Sequence, residues 1–588
     1  MSKANLHLAT ALVLLVLTCV TARAQQQTPG PETSSEVTTG TITGSIVNER
    51  GEPMPGAGVH VRSLASPNAG RSTSADAEGR FRVTGLEPGL FVITGYSPAY
   101  VFQQPEFDVP TTYYRIGDTV RIEMIKGGVV TGTITNATGE PVIGVRVRAI
   151  RIRDPKGQIV RTPQLGQIER TTDDRGIYRI YGLPPGTYIV SAGGGGGNQS
   201  FQLNPYETDV PTYAPSSTRD GATEFNVRSG EETTADIRYR SDPGHTISGT
   251  VKTSAANGAS VMLMSQEGAF LPIASTMQVP NGRGFELSGV GDGEYQVIAT
   301  EFPINLGAAT TMPDLSTSEA KRVTVKGADV SGIELIPRPP ASILGRIALE
   351  SSKAPECQGK RKPLFAETLI DLVRHEKDSD TTPLFMRMTA GAMSPDPKGA
   401  FTFRNLGPGR YRLNPNFHAR FWYLQSITVG APASATPGAA RTAAPRIDPA
   451  ANWTVLKPGE KLSDVTITLA EGAASIRGKI PVAEGATIPA GTAVFLVPAE
   501  ADKSADVLRY FVTSVSADGA FAFNSLPPGR YWSVLQNPVQ PELATSLKLR
   551  SPESVEARTK LRRAAESQKS EVELKPCQTL TDYQLISK

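Results

Sequence analysis

The chain is poor in the residues that carry most catalytic chemistry. Of its 588 residues, three are cysteine and five are histidine. Cys19 falls in an apolar N-terminal run, which leaves only Cys357 and Cys577 beyond it. Two cysteines cannot hold several small domains together, so stability has to come from buried apolar area, which a domain of about 100 residues can supply. The remaining histidines, His60, His245, His375 and His418, are isolated, and neither His-Glu-x-x-His nor His-x-x-Glu occurs. The paired ligands of a zinc peptidase are therefore missing. His375-Glu376-Lys377-Asp378 comes nearest and reads as a solvated charged run. No Gly-x-Ser-x-Gly nucleophile elbow and no phosphate-binding Gly-x-x-x-x-Gly-Lys-Ser/Thr loop is present. These absences predict a non-enzymatic chain with no cofactor and no metal.

An excess of one charge is also lacking. Lys and Arg number 60 against 57 Asp and Glu, a net charge of +3. Nucleic-acid affinity comes from neutralising phosphates, so no nucleic-acid partner is expected. The cluster Arg146, Arg148, Arg151 and Arg153 alternates like the solvated face of a strand. Long apolar runs are missing too, apart from Leu6 to Val20. With Lys3 before it and Ala22-Arg23-Ala24 after it, that run predicts a signal peptide over 1–24, cleaved after Ala24. It is shorter than the roughly 20 residues a membrane span needs, and no transmembrane segment is expected in the mature chain. The polar stretch 25–39 reads as a disordered linker. The expected location is export to the periplasm, the outer surface or the medium.

What the chain does contain is a diverged internal repeat. Its clearest piece is an Asp/Asn-x-x-Gly turn, an aromatic strand, a Gly-Leu-Pro-Pro-Gly turn and a strand opening on Tyr. The first copy reads Asp76-Ala77-Glu78-Gly79-Arg80-Phe81, then Gly85-Leu86-Glu87-Pro88-Gly89-Leu90-Phe91. The second reads Asp173-Asp174-Arg175-Gly176-Ile177-Tyr178, then Gly182-Leu183-Pro184-Pro185-Gly186-Thr187-Tyr188. The third is weaker, with Asn281-Gly282-Arg283-Gly284-Phe285 and Gly293-Glu294-Tyr295. The fourth has Asp396 to Phe401 and Gly409-Arg410-Tyr411, and the fifth has Asp518-Gly519-Ala520-Phe521 and Gly529-Arg530-Tyr531. The closing glycines Gly89, Gly186, Gly293, Gly409 and Gly529 are spaced by 97, 107, 116 and 120 residues. That is too long for a solenoid repeat and suits one sandwich per copy.

The residue types have physical reasons. Asp at the head of a turn bonds the backbone two residues on, and Gly accepts the positive φ that the turn needs. Phe81 and Val83, Phe401 and Phe403, and Phe521 and Phe523 each share one face of a strand. Each copy opens on a Gly-x-Ile-like strand, as in Gly44-Ser45-Ile46, Gly132-Thr133-Ile134, Gly249-Thr250-Val251, Gly345-Arg346-Ile347 and Gly478-Lys479-Ile480. In the first two, Gly51-Glu52-Pro53 and Gly139-Glu140-Pro141 then mark a turn. Each copy closes on a hairpin. In the last of these Cys577 takes a turn-glycine slot and is expected at the surface. Cys357 and Cys577 form the one pair that could bridge the fourth and fifth copies.

The pattern Asp-x-x-Gly-x-Phe … Gly-Leu-Pro-Pro-Gly-x-Tyr, preceded by Gly-x-Ile and Gly-Glu-Pro-x-x-Gly-Ala, resembles the carboxypeptidase regulatory-like domain. That family belongs to a transthyretin-like, or prealbumin-like, group overlapping folds described as carbohydrate-binding-like. The resemblance implies an all-β chain: a tandem array of about five seven-stranded Greek-key β-sandwiches, with one short helix near the C-terminus. It also implies a structural, docking or binding module with no catalytic residues to carry over. The predicted domains are 40–126, 127–241, 242–338, 339–471 with an Ala/Pro-rich insertion at 431–451, and 472–588. With short joints between them, the expected arrangement is an elongated string. The helix is expected over 552–570, packing through Val555, Leu561 and Ala565.

The expected partner is a protein or a glycan at the cell envelope. A glycan would be held by exposed rings. Phe417, Phe421, Trp422 and Tyr423 form the densest group, and Tyr96, Tyr100, Phe102, Tyr113, Tyr114, Tyr206 and Tyr213 are further candidates. Three readings follow: a structural or interaction protein, a glycan-binding protein, or an accessory subunit of a separately encoded peptidase or outer-membrane transporter.

Overall fold

Each copy of the repeat opens with a strand whose glycine lets two neighbours come unusually close. In a computed structural model these strands are Gly40–Asn48, Gly128–Thr135, His245–Val251, Ala341–Glu350 and Ala474–Lys479. The structure describes residues 39–585 except 66–69, 103–111, 161–168, 195–204, 254–256, 266–273, 279–283, 304–313, 376–391, 431–447, 482–487, 490, 537–551 and 569. The expected signal peptide, nearly all of the linker and most of the Ala/Pro-rich insertion therefore lie outside the described residues.

Every opening strand sits mid-sheet between two partners. On one side it pairs antiparallel with the aromatic strand of its copy, such as Arg80–Leu86 or Ala400–Leu406. On the other it pairs parallel with the strand that closes the copy. These closing strands are Thr119–Lys126, Glu232–Thr234 with Ile237–Arg238, Val330–Leu335, Lys461–Glu471 and Thr579–Gln584. A Cβ on Gly44 would lie 2.1 Å from the Val120 carbonyl and 2.5 Å from the Phe81 ring. At Gly345 the same atom would meet Phe401 at 2.4 Å and the Val465 carbonyl at 2.5 Å, and Gly478 is hemmed in the same way by Phe521 and Tyr583. The glycine therefore lets an aromatic ring lie over the opening strand beside the closing strand's backbone.

A second sheet completes each sandwich. In the first copy it runs Arg71–Ser74, Gly58–Ser63, Phe91–Tyr96, and in the fifth Phe511–Ser514, Ala493–Pro498, Gly529–Gln536, Glu571–Leu574. Among the described residues, the first, fourth and fifth copies have seven strands in two sheets of three and four. Between the sheets lie separate cores, with Ile42, Ile46, Phe81 and Met124 in the first and Val130, Ile180 and Tyr188 in the second. The chain is thus an all-β tandem array, as the repeat predicts.

The turn between the aromatic strand and the next is held by the Tyr that follows it. Tyr188, Tyr295, Tyr411 and Tyr531 each donate a hydroxyl hydrogen bond to the carbonyl four residues back, at 2.7, 2.9, 2.7 and 2.9 Å. In three copies an arginine from the neighbouring strand or turn donates to the next carbonyl, Arg151 to Pro185, Arg374 to Pro408 and Arg509 to Pro528. Arg151 thus braces a turn within the sandwich and is not part of a merely solvated strand face. The residue before Leu in this turn, or before Val290 in the third copy, has positive φ throughout: Gly85, Gly182 and Gly289, but Asn405 at 56° and Ser525 at 54°. In the fifth copy Ser516 heads the preceding turn, two residues before Asp518, and Gly519 N–H closes onto its carbonyl.

The one α-helix among the described residues spans Val555–Gln568. Its buried face is Arg558, Leu561 and Ala565, while Val555 is 55% exposed and does not pack. The helix covers the outer face of Ala493–Pro498, whose six residues are all buried. Arg562 lies 5.0 Å over the Trp532 ring and donates to the Pro498 and Ala499 carbonyls.

The contacts are not purely serial. Leu90 N–H of the first sandwich donates to the Ala366 carbonyl of the fourth at 3.2 Å. Arg115 of the first lies 4.0 Å from buried Glu367 of the fourth, which Arg361 also grips through both carboxylate oxygens. The repeat encodes each sandwich but carries no local signal for this contact.

Two substitutions test the backbone logic by thermal or denaturant unfolding. Gly345→Ala forces a methyl into the Phe401 and Val465 contact and should destabilise by about 1–3 kcal/mol. Ser525→Gly relieves a left-handed residue and should raise stability by about 1 kcal/mol.

Candidate functional site

The aromatic group at 417–423 lies where the chain leaves strand Gly409–Phe417 and enters strand Trp422–Val429. Trp422 is fully buried in the core of the fourth sandwich, and its indole N–H has no hydrogen-bond partner among the described residues. Phe417 is half-buried against the same core. Phe421 has two cations against its ring, with Lys360 Nζ 4.7 Å and the Arg420 guanidinium 5.4 Å from its centroid. Tyr423 is half-buried, and burial pushes its phenol pKa up. Of the four rings, one is spent on the core and one is already occupied by cations.

The backbone of this segment joins two sandwiches. The Phe421 carbonyl accepts from Gly472 and Ala473 N–H, both at 2.9 Å, just where the fourth sandwich passes to the fifth. The Gly472 carbonyl in turn accepts from Cys577 N–H at 3.0 Å. Arg420 donates to Thr579 Oγ1 at 3.0 Å, and Ser352 N–H donates to Glu471 at 2.9 Å. Val507 and Leu508 of the fifth sandwich are buried with the core of the fourth.

A disulfide between Cys357 and Cys577 fastens this joint, with S–S 2.02 Å. Cys577 has φ +56°, in keeping with its glycine slot. The expectation that it is exposed does not hold: Cys577 is 8% exposed and Cys357 is fully buried. The turn is covered because it folds onto the short 3-10 turn Pro355–Cys357 of the neighbouring sandwich. Nothing in the local turn pattern announces that neighbour.

A second fastening was not legible in the sequence. Trp453 Nε1 donates to Glu553 Oε1 at 2.6 Å, and His375 Nε2 lies 3.2 Å from the same oxygen. His375 packs edge-on to the Trp453 ring, Arg410 reaches His375 Nδ1 at 2.9 Å, and the Arg412 guanidinium lies 5.1 Å over the indole. Burial holds the Arg412 pKa down, and Glu553 works against that shift. Glu553 belongs to the fifth sandwich and the other residues to the fourth. The contacts join positions 100 and 178 residues apart, beyond the reach of any short motif.

The other candidate rings are dispersed. Tyr100, Phe102 and Tyr114 pack on the first core, Tyr206 meets Tyr239 edge-on at 5.5 Å, and Tyr213 is buried. Tyr113 is half-buried. Tyr96 is 65% exposed and stands alone in this set. Among the described residues no group of three or more His, Cys, Asp or Glu is placed to hold a metal ion. Among them, no helix is long and apolar enough to cross a membrane.

The topology of the first sandwich and its turn chemistry meet a family match here, over residues 41–113. Residues 41–113 match the carboxypeptidase regulatory-like domain family. The other four sandwiches share the opening and aromatic strands of the first and close the turn with Tyr where the first has Phe91. No curated protein matches the sequence. Among solved structures, the chain is similar to the Bacillus anthracis TIE protein, at 14% identity and TM-score 0.14, over 51% of this chain and 50% of that one. It thus spans about half the length of that protein. It is also similar to GBS52, the minor pilin of Streptococcus agalactiae, at 13% identity and TM-score 0.19, over 34% of this chain and 96% of that one. The shaft pilin SpaA of Lactobacillus rhamnosus GG aligns at 10% identity and TM-score 0.17, over 35% of this chain and 98% of that one.

The different roles of these rings are separable by unfolding. Trp422→Ala should cost about 3–5 kcal/mol, the range for a large buried ring. Tyr96→Ala should stay within about 0.5 kcal/mol of the parent.

Proposed function

We propose that the chain is an exported, non-enzymatic multidomain protein whose regulatory-like sandwiches present surfaces for protein docking at the cell envelope. The observation that carries this reading is the buried Cys357–Cys577 disulfide joining the fourth and fifth sandwiches. Such a bridge persists in an oxidising compartment, outside the cytosol. It agrees with the export signal read in 1–24. The working domain boundaries are 40–126, 127–241, 242–338, 339–471 and 472–588.

The placement of the aromatic side chains favours docking over glycan capture. Sugar binding needs rings with a free face, and Trp422 has none while Phe421 has Lys360 and Arg420 against its ring. The reactive side chains are likewise committed to structure: the two cysteines to the bridge, Arg374 and Arg509 to turns, and His375 to the joint.

Fractionation and intact-mass measurement of the expressed full-length protein test the reading. The expected product lies outside the cytoplasm, begins at Gln25 and resists thiol alkylation until it is unfolded and reduced. A cytoplasmic product that keeps residues 1–24 and alkylates at both cysteines would overturn it.

A further inference from the structure

Two features lie outside the docking reading. In all five sandwiches the opening and closing strands are parallel neighbours. The disulfide, for its part, joins residues 220 apart in sequence. Together they decide how the chain answers a pull on its two ends.

A force applied to the ends of a sandwich reaches it through the start of its opening strand and the finish of its closing strand. Parallel neighbours loaded in that way slide past each other along their length. Their ladder hydrogen bonds run across the strands, so all of them must fail together. An antiparallel pair loaded at one end opens a bond at a time. The loaded ladders are substantial. Thr43 to Asn48 lie in register with Thr119 to Met124, and Val129 to Thr131 with Glu232 to Thr234, extended by Ile134 and Thr135 against Ile237 and Arg238. The links add little slack: Gly127 alone separates the first two sandwiches, and Gly472 and Ala473 separate the last two.

The bridge changes the path through the last two sandwiches. Cys357 follows the opening strand of the fourth, Ala341–Glu350, and Cys577 precedes the closing strand of the fifth, Thr579–Gln584. Tension entering at the first strand crosses the sulfurs and leaves by the last. Every strand between them lies inside a closed covalent loop and cannot be drawn out.

We propose that the protein is a tension-bearing strut: the first three sandwiches loaded in shear, and the fourth and fifth bypassed and made inextensible between Cys357 and Cys577. This function goes beyond docking and does not depend on it, since it needs only that the two ends be held apart.

Single-molecule force spectroscopy on the full mature chain, with handles at both ends, tests it. The fully extended oxidised chain should be shorter than the Cys577→Gly variant by about 700–800 Å, the reach of 220 residues at about 3.3–3.6 Å each. Glycine suits the positive φ at 577. Because full extension is read after all structure is lost, the comparison holds even if that variant folds poorly. Equal lengths would overturn the bypass. For the shear claim, a second tether runs from the N-terminal handle to a cysteine placed at exposed Glu87. This loads Gly40–Asn48 against Arg80–Leu86 from one end, because Gly40 is paired with Leu86. End-to-end extension of the first three sandwiches should need at least twofold the force of this tether at equal pulling speed. Equal forces would overturn the shear claim.

Discussion

The close approach at the opening-strand glycine is the constraint on which the rest of each sandwich depends. Without a Cβ at Gly44, Gly345 or Gly478, the ring of Phe81, Phe401 or Phe521 can lie over the strand while the closing strand pairs beside it. That one contact fixes three strands relative to one another. It brings the two ends of each copy together as parallel neighbours and leaves the second sheet to fold over the ring. In the second copy the ring is Tyr178, and its hydroxyl also donates to the Ala235 carbonyl at 2.5 Å, tying the aromatic strand to the closing segment directly.

The Tyr-closed turn does for the sheet-to-sheet crossing what the glycine does within a sheet. A buried hydroxyl has to find a partner, and the carbonyl four residues back is the one that a tight turn presents. Burial and this bond go together: Tyr188 and Tyr531 are fully buried. The first copy has Phe91 at this position and cannot make the bond. There the turn meets the fourth sandwich instead, through Leu90 and Ala366. Loss of the internal tie thus coincides with an external contact.

The repeat was legible because its residues act locally. Turn glycines, the Asp that caps its own turn, and alternating Phe residues all announce their roles within a few positions. What stayed hidden acts at a distance. In sequence Trp422 and Phe421 read either as core or lid filling or as exposed ligand-contact rings, and the core and the joint claim them. Cys577 reads as an exposed turn residue until Cys357 arrives from another sandwich. Val555 falls on the wrong side of its helix, since Arg558 packs over Tyr510 at 5.9 Å in a place that hydrophobic spacing would not give to a cation. One long-range signal was present: the unbroken apolar run Ala493–Pro498 implies a strand covered on both faces, as the helix makes it.

The opening and closing strands, locked at the glycine, are the most cohesive part of each sandwich. Native-state hydrogen exchange with residue resolution tests this most directly. The paired amides of Ala341–Glu350 and Lys461–Glu471 should exchange only through global unfolding, and should be among the slowest in the chain. If they exchange through local opening as readily as the short edge strand Arg71–Ser74, the parallel pair at the glycine is not the element that holds the sandwich together.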